Sequence, residues 1–268
     1  MTPSFLMCGP DYYGIDYEIN PWMDKSVQPD KEKALYQWNS LASILEKRLG
    51  CSISLIPPVE GLPDMVFTAN AGYLEGRRFI PSRFRFAERR GEEAHFIKWF
   101  EGEGYELTYL PDGAAFFEGF GDVLPWAGIL FAGYRYRSDI ASHSELGRIF
   151  GRKIISLELV NPSFYHLDTC FCPLPSGDLI YYSGAFDGYG LRVIREHAAG
   201  VRLIEVNSEE AAHFCCNAVG VNNSIVINTG APDLKGRLEN YGYSVLETDL
   251  SEFVKSGGSA KCLTLRLE

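Results

Sequence analysis

Apolar residues recur at helical spacing in five segments of the chain, and each of these segments predicts an amphipathic helix. The first segment, residues 30–50, places its apolar residues on one helical face: Ala34, Leu35, Trp38, Leu41, Ala42, Leu45 and Leu49. Asp30 before this face and Gly50 after it are a typical N-cap and a typical helix stop. The other predicted helices occupy residues 88–104, 138–151, 187–200 and 232–242. Ser138 is the predicted N-cap of the third helix, and Gly151 lies near its end.

Short apolar segments alternate with these helices and predict strands. One strand follows each helix, at residues 51–57, 105–111, 153–159, 201–206 and 243–249. After a loop, a second strand is predicted at residues 64–70, 119–126, 166–174, 215–221 and 260–267. In the first four copies a turn leads to a third strand, at residues 77–81, 128–134, 178–184 and 224–230. The last copy ends with the chain, so we expect the N-terminal segment 4–10 to supply its missing strand and close a ring.

This repeat predicts the fold, because its period of roughly 45–55 residues is typical of propeller-like arrays. We expect one domain, residues 1–268, built as an α/β fold: a five-bladed ββαβ α/β-propeller with pseudo-fivefold symmetry. A doubly wound sheet is the alternative that the alternation of strands and helices allows. No glycine-rich phosphate loop follows the first strand, however, and a hairpin in every unit is foreign to that fold. A helix in every unit also excludes an all-β propeller.

Composition narrows the class of function. The chain has 268 residues, 46% of them hydrophobic, and a formal net charge of −10 without a cluster of Lys or Arg. This charge argues against a nucleic-acid partner and is compatible with a small cationic ligand. No apolar run approaches the roughly 18 residues of a membrane span, and the first residues lack the features of a secretory signal. Seven cysteines without a regular framework indicate free thiols and a reducing compartment, the cytoplasm.

Polar residues recur where the loop of each unit meets its second strand, the end that would face the axis of the ring. These residues are Asp64, Asn70, Glu118, Asp122, His166, Asp168, Asn217 and Cys262. Corresponding positions in a ring converge on one pocket, where a thiol, an imidazole and carboxylates form a usable catalytic set. Taken one by one, Cys262 also fits a small buried apolar residue, and His166 fits a structural histidine. The carboxylates and Asn217 also fit turn or strand-end positions.

The remaining cysteines offer no metal site. Cys170 and Cys172 are spaced by one residue and Cys215 and Cys216 are adjacent, and no C-x-x-C pair accompanies them. We therefore expect these four to be core residues, and we predict neither a metal nor an organic cofactor.

Four motifs, in this order along the chain, resemble those of the guanidine-modifying superfamily: PDMVFTANAG, FFEGFGD, HLDT and GGSAKCLT. That superfamily includes arginine deiminases, dimethylarginine dimethylaminohydrolases and amidinotransferases, and its fold is a five-bladed ββαβ propeller. The opening, LMCGPDYYGIDYEINPWM, is similar to the arginine dihydrolase domain of cyanobacterial type, which occurs fused to an ornithine cyclodeaminase-like region. The resemblance therefore leaves open a stand-alone enzyme or a domain with a fused or separate ornithine-processing partner.

The resemblance also implies roles for individual residues. Cys262 is then the nucleophile, His166 the general acid and base, and Glu118 a partner of His166 or of the guanidinium. Asp168 then accepts hydrogen bonds from the guanidinium nitrogens of the substrate. The implied substrate-binding residues are Asn20, Asp64, Phe67, Arg89 and Arg137, the two arginines holding the substrate carboxylate as a fork. Arg90 takes the place of Arg89 if the register differs by one, and ordinary salt bridges at the helix ends are the alternative for these arginines.

Asn70 departs from the deiminase pattern, in which a carboxylate occupies this position and pairs with the cationic guanidinium. An amide both donates and accepts hydrogen bonds, so it tolerates a neutral ureido group such as that of citrulline. Arginine and succinylarginine dihydrolases share this asparagine, and Asn20 is a second amide that we expect nearby. The resemblance thus implies an arginine dihydrolase that forms a covalent cysteine–thiouronium intermediate. A deiminase that stops at citrulline, a methylarginine hydrolase and a non-catalytic arginine-binding module stay as alternatives, and a homo-oligomer stays open.

Overall fold

The computed structural model describes residues 3–111 and 115–267. Five three-stranded sheets form in this part of the chain, and each combines an antiparallel pair of strands with a third strand that is parallel to its neighbour. We call the sheets the first to fifth blades in chain order. Their strands are Gly72–Glu75, Arg78–Pro81 and Glu106–Leu107; Val123–Trp126, Ile129–Tyr134 and Ile154–Glu158; Phe171–Pro173, Leu179–Tyr181 and Leu203–Glu205; Val219–Val221, Ser224–Asn228 and Ser244–Thr248; and Leu265–Arg266, Ser4–Cys8 and Ser52–Ile56.

One helix connects the second and third strands of each blade, as a parallel pair requires. In blade order these helices are Arg90–Gly102, Ile140–Phe150, Gly188–Glu196, Pro232–Asn240 and Lys31–Ser43. Shorter helical segments are Ile44–Arg48, which is a π-helix, and Pro63–Val66, Thr68–Ala71, Ala87–Arg89, Gly119–Asp122, Leu167–Thr169, Ser183–Ala185, Ser208–Ala212 and Ser251–Val254. None of the helices within the described ranges has the length and apolar content needed to cross a bilayer.

The two ends of the chain meet in the fifth blade. Strand Leu265–Arg266 pairs antiparallel with Ser4–Cys8, and Ser4–Cys8 pairs parallel with Ser52–Ile56. The N-terminal strand therefore completes the unit that the C-terminus leaves unfinished, as predicted. The predicted five-bladed ββαβ fold is confirmed.

The structure confirms some of the predicted helix signals and corrects others. The side chain of Asp30 accepts a hydrogen bond from the Lys33 backbone N–H, and Gly151 ends its helix at φ +63°. The prediction that Ser138 is an N-cap was wrong, because the helix begins at Ile140 and the Ser138 hydroxyl is engaged elsewhere. Leu35 was also assigned wrongly to the buried face, since it is 49% exposed.

The segments predicted as second strands are partly helical. Residues 64–70 contain no strand, because the 3₁₀ helices Pro63–Val66 and Thr68–Ala71 cover most of them. The segments 119–126 and 166–174 likewise begin with one helical turn before the strand starts. These segments are apolar because they are buried near the axis, and burial alone does not distinguish a strand from a short helical turn. The turns carry the polar residues of the candidate site.

Candidate active site

The polar residues that sequence analysis assigned to the axis of the ring are all buried. Asp64, Asn70, Glu118, Asp122, His166, Asp168, Asn217 and Cys262 are each at most 3% exposed. They lie on the turns that precede the first strands of the blades, so the backbone of each turn aims a side chain toward the same region. A buried polar group destabilises the fold unless it is paired, and most of these side chains have a partner. Asp122, for example, accepts hydrogen bonds from the Ser138 hydroxyl at 2.6 Å and the Leu167 backbone N–H at 3.1 Å.

Cys262 lies against an amide and a carboxylate. The Asn217 side chain donates a hydrogen bond to Cys262 Sγ at 3.1 Å and accepts one from the Cys262 backbone N–H at 3.0 Å. The Asp168 oxygens lie 3.6 and 3.9 Å from Sγ. Burial raises the pKa of the Cys262 thiol well above its usual range, and the neighbouring charge of Asp168 adds to this effect. The resting cysteine is therefore a protonated thiol, and a positive charge brought next to it favours the thiolate.

Glu118 joins His166 to an arginine. Its Oε2 lies 2.8 Å from His166 Nε2 and accepts a hydrogen bond from Arg137 Nη1 at 3.1 Å. Its Oε1 accepts from the backbone N–H of Arg85 at 3.2 Å. Burial opposes ionisation of Glu118, but Arg137 and the hydrogen bond from His166 outweigh it and hold the pKa of Glu118 well below its usual range. The ionised carboxylate thus fixes the orientation of the imidazole.

Arg89 connects Asn70 to a second buried carboxylate. Arg89 Nη1 donates to Asn70 Oδ1 at 2.9 Å. Its Nε and Nη2 donate to the two oxygens of Glu92 at 2.8 Å each, which is a bidentate pair. Asp64 Oδ2 lies 3.8 Å from Arg89 Nε. Burial, only partly offset by Arg89, raises the pKa of Glu92 to about 7.

The two predicted arginines are therefore both in the site and both engaged by the protein. Arg137 also donates to the Ile19 carbonyl at 3.1 Å and lies over the Tyr165 ring at 4.6 Å. Arg90, the fallback for Arg89, is exposed and points to the Phe84 and Arg85 carbonyls outside the cluster. The structure thus places Arg89 rather than Arg90 beside Asn70.

Gly121 brings Asn70 and His166 close together. A Cβ added at Gly121 would overlap the Asn70 side-chain nitrogen and lie 3.3 Å from His166 Cγ. The amide and the imidazole therefore both lie against this glycine, and no room is left for a side chain there. The other Asn70 contact is weak, a 3.5 Å approach of its Nδ2 to the Glu118 carbonyl.

The loop before Cys262 packs against the remaining predicted residues. Asn20 Nδ2 donates to the Ser256 carbonyl at 3.0 Å. Gly257 has φ +79°, a left-handed conformation that favours glycine. A Cβ at Gly258 would overlap the ring of Phe67. Asn20 and Phe67 thus hold the loop that leads to Cys262, and the glycines allow its close approach.

No metal site accompanies this cluster in residues 3–111 and 115–267, where no three His, Cys, Asp or Glu side chains are grouped to hold an ion. All seven cysteines are free and buried. The four that we expected in the core, Cys170, Cys172, Cys215 and Cys216, pack within one apolar cluster.

A family model for eukaryotic N,N dimethylarginine dimethylhydrolase matches residues 14–268. The chain belongs to this family. The match covers every turn that carries a residue of the buried cluster. Each of the four sequence motifs contributes at least one residue to this cluster.

The similar curated proteins include two whose names state different activities. The bifunctional arginine dihydrolase/ornithine cyclodeaminase AgrE of Nostoc sp. (strain PCC 7120 / SAG 25.82 / UTEX 2576) is 45% identical over 98% of this chain, which spans only 37% of AgrE. The N(G),N(G)-dimethylarginine dimethylaminohydrolase of Mycobacterium tuberculosis (strain ATCC 25618 / H37Rv) is 37% identical over 99% of this chain and 86% of that protein.

The fold of this family member is also found in a solved structure. The N-terminal domain of ArgZ, an arginine dihydrolase of cyanobacteria crystallised with its substrate as a cysteine-to-serine mutant, superimposes with a TM-score of 0.94 at 44% identity. The superposition covers 99% of this chain and 98% of that chain.

The sequence alone did not point to three residues that lie next to the buried cluster of this family member. Glu92 lies three residues after Arg89, a helical spacing that could have suggested the pair. Tyr165 donates to the Gly257 carbonyl at 2.8 Å and precedes His166. Lys261 precedes Cys262, and only the folded structure places it near Asp168.

Proposed function

We propose that residues 1–268 form one catalytic domain, an arginine dihydrolase that uses no metal and no organic cofactor. The reaction converts L-arginine and two water molecules into L-ornithine, carbon dioxide and two ammonia molecules. The observation that carries the proposal is the buried cluster itself. Its thiol, Cys262, contacts Asp168, and its imidazole, His166, is held by Glu118 and lies with the amide of Asn70 against Gly121. The 45% identity to AgrE and the likeness to substrate-bound ArgZ support the same activity.

The substrate is bound at both of its ends in this proposal. Asp168, Glu118 and Asn70 surround the guanidinium, while Arg89 and Arg137 hold the substrate carboxylate. Both arginines already have carboxylate partners, Glu92 and Glu118, so they are held in place before the substrate arrives. This pre-organisation reduces the entropy that binding must overcome. Asn20, Asp64 and Phe67 complete the pocket, with Asn20 and Phe67 acting through the loop that precedes Cys262.

The first round of chemistry is nucleophilic attack by sulfur. The bound guanidinium is a cation, so it lowers the pKa of the Cys262 thiol that burial has raised. The thiol passes its proton to His166 as the sulfur adds to the guanidinium carbon, and His166, held by Glu118, then gives this proton to the departing ammonia. A covalent thiouronium adduct remains on sulfur. His166 then takes a proton from water as the water attacks the adduct carbon, and the carbon–sulfur bond breaks to release citrulline from the thiolate.

The second round needs a site that also accepts a neutral group. Citrulline carries a ureido oxygen, which requires a hydrogen-bond donor, where arginine carries a charged nitrogen. The Asn70 side chain can donate from Nδ2 while its Oδ1 stays bonded to Arg89. A carboxylate at this position could not donate. A second attack by Cys262 on the ureido carbon, followed by hydrolysis, yields ornithine, carbon dioxide and the second ammonia.

A product assay tests the proposal. Purified protein is incubated separately with arginine, citrulline, N-succinylarginine and dimethylarginine, and ornithine, citrulline and ammonia are quantified. Ornithine and two ammonia molecules per arginine are expected, with no turnover by a Cys262→Ser variant. Citrulline as the end product would identify a deiminase, and preference for dimethylarginine would identify a methylarginine hydrolase. Tight arginine binding without turnover would identify a binding module.

The proposed product, ornithine, suggests a partner for this domain. AgrE combines its arginine dihydrolase with an ornithine cyclodeaminase, so we infer that ornithine made here is passed to a fused or separate ornithine-processing domain. Seven buried free thiols support a reducing compartment such as the cytoplasm.

A further inference from the structure

A second cavity shares one wall with the candidate active site. Its volume is about 360 Å³, and it lies among the first strands of the second to fifth blades. Of the proposed site residues, only Asp168 lines it. Since Asp168 also lies 3.6 Å from Cys262 Sγ, the thickness of a single carboxylate separates this cavity from the nucleophile.

Cationic side chains line the cavity although the chain as a whole is acidic, with a formal net charge of −10. Lys261 and Arg266 line it together with a single carboxylate, Asp168. Arg266 is exposed and has a partner of its own, so Lys261 is the cation that the wall offers to an anion.

Lys261 is the cavity residue whose ammonium lacks a protein partner among residues 3–111 and 115–267, a place that an anion could take. Within the described part of the chain, its ammonium has no hydrogen-bond acceptor and no carboxylate within 4.0 Å as a salt-bridge partner, and it lies over the ring of Phe120 at 5.1 Å. Burial lowers the pKa of Lys261, because a partly buried cation without a protein acceptor is unfavourable. A ligand carboxylate would supply the acceptor.

The rest of the wall is apolar and selects among anions. Phe5, Leu124, Phe171 and Val219 line the cavity along with several prolines. A fully hydrated phosphate or sulfate would have to lose water against these side chains. An organic carboxylate with a small hydrocarbon body instead pairs its charge with Lys261 and buries its body, and the volume falls in the range of ligand pockets.

We propose that this cavity binds a small organic monocarboxylate through Lys261 and that its occupancy weakens arginine binding through Asp168. The binding stands on the cavity alone, whereas the coupling rests on the proposed function. The ammonium of Lys261 helps to keep Asp168 ionised, although burial raises the pKa of Asp168 to about 7. A ligand anion that pairs with Lys261 removes this support, so Asp168 takes up a proton and no longer attracts the guanidinium.

Isothermal titration calorimetry with benzoate tests the binding, and neutral benzamide of nearly the same shape is the matched control ligand. Wild-type protein is expected to bind benzoate at least tenfold more tightly than benzamide. Lys261→Met should lose this preference, Lys261→Arg should keep much of it, and Lys98→Met, at an exposed lysine, should bind as wild type does. Leu124→Trp, which fills the cavity but keeps the charge, should also lose benzoate binding, with folding checked by thermal melts.

The coupling is measured as the KM for arginine at increasing benzoate. An allosteric ligand raises KM to a plateau, at about fivefold or more for typical coupling energies. A KM that rises without limit would place benzoate in the arginine site and overturn the proposal. So would equal binding of benzamide, or benzoate binding that survives both Lys261→Met and Leu124→Trp. If wild type hydrolyses no arginine, the proposed function fails separately, and the effect of benzoate on arginine affinity is then measured by calorimetry with Cys262→Ser.

Discussion

Replacing Asn70 by Asp tests why this site holds an amide. The substitution changes one donor into an acceptor and adds a negative charge, with almost no change in shape. The oxygen that accepts from Arg89 Nη1 at 2.9 Å is retained, and its new charge faces a buried guanidinium, so the fold should tolerate the change. What is lost is the Nδ2 donor, whose sole acceptor among residues 3–111 and 115–267 is the Glu118 carbonyl at a weak 3.5 Å, so this donor is available to a ligand.

The size of the effect follows from the lost hydrogen bond. Without the Asn70 donor, the ureido oxygen of bound citrulline is a buried acceptor without a partner, which costs about 1–3 kcal/mol. At about 1.4 kcal/mol per factor of ten, citrulline hydrolysis should slow roughly five- to 150-fold. The first step does not suffer from this loss, because a carboxylate attracts the cationic guanidinium of arginine. Under the proposed function, the variant should therefore accumulate citrulline where the parent is expected to yield ornithine.

The assay follows arginine, citrulline and ornithine by chromatography over time, with either arginine or citrulline as the starting substrate. Asn70→Ala removes both the donor and the acceptor and separates the loss of the hydrogen bond from the added charge. Asn39→Asp, at an exposed position of the helix Lys31–Ser43, is the matched control and should keep the parent product ratio. If Asn70→Asp converts citrulline to ornithine within about twofold of the parent rate, the role assigned to the amide is wrong.

Three further changes test the network around this amide. Gly121→Ala should lower kcat by at least about tenfold, because the new methyl group overlaps the Asn70 amide, and steady-state kinetics measure this loss. Glu92→Ala leaves the buried charge of Arg89 without its bidentate partner and should destabilise the fold by about 3–5 kcal/mol in urea unfolding. Finally, kcat/KM for arginine should fall about tenfold per pH unit below pH 7, because the pKa of Asp168, raised by burial to about 7, leaves it protonated there.

Each of these predictions has an outcome that contradicts it. An unchanged kcat in Gly121→Ala would mean that the amide and the imidazole need not be close. Glu145→Ala removes a surface carboxylate that pairs with Arg148, and it should change the unfolding free energy by less than about 1 kcal/mol. If Glu92→Ala lost no more unfolding free energy than Glu145→Ala, the buried Arg89–Glu92 pair would be no stronger than the surface pair. A flat pH profile between 5 and 7 would show that Asp168 is not the group that binds the guanidinium.

The Asp168 carboxyl also makes stability depend on pH, but in the opposite direction to kcat/KM. The folded state binds a proton at Asp168 up to a pH of about 7, whereas the unfolded chain releases it near the usual value of 3.8. The folded state therefore holds the extra proton between these limits. The contribution of Asp168 to stability is largest below pH 4 and is lost as the pH rises toward 7.

Local sequence determined the repeat. The spacing of apolar residues located all five major helices, and Asp30 and Gly151 marked helix ends correctly because capping depends on neighbours within one turn. The missing strand of the last copy predicted that the two ends of the chain would pair. The residues that meet at the axis, including Cys262 and His166, were also identifiable, because each stands at the same position in its own repeat.

Only the tertiary structure decided how these residues are paired. His166 meets Glu118 across 48 residues, and Cys262 meets Asn217 across 45. The choice of Arg89 over Arg90 and the position of Lys261 beside Asp168 depend on the same kind of distant contact. Local spacing reports which side of an element is buried, but a hydrogen bond between separate blades depends on how the blades pack around the ring, and no short stretch of sequence contains that geometry.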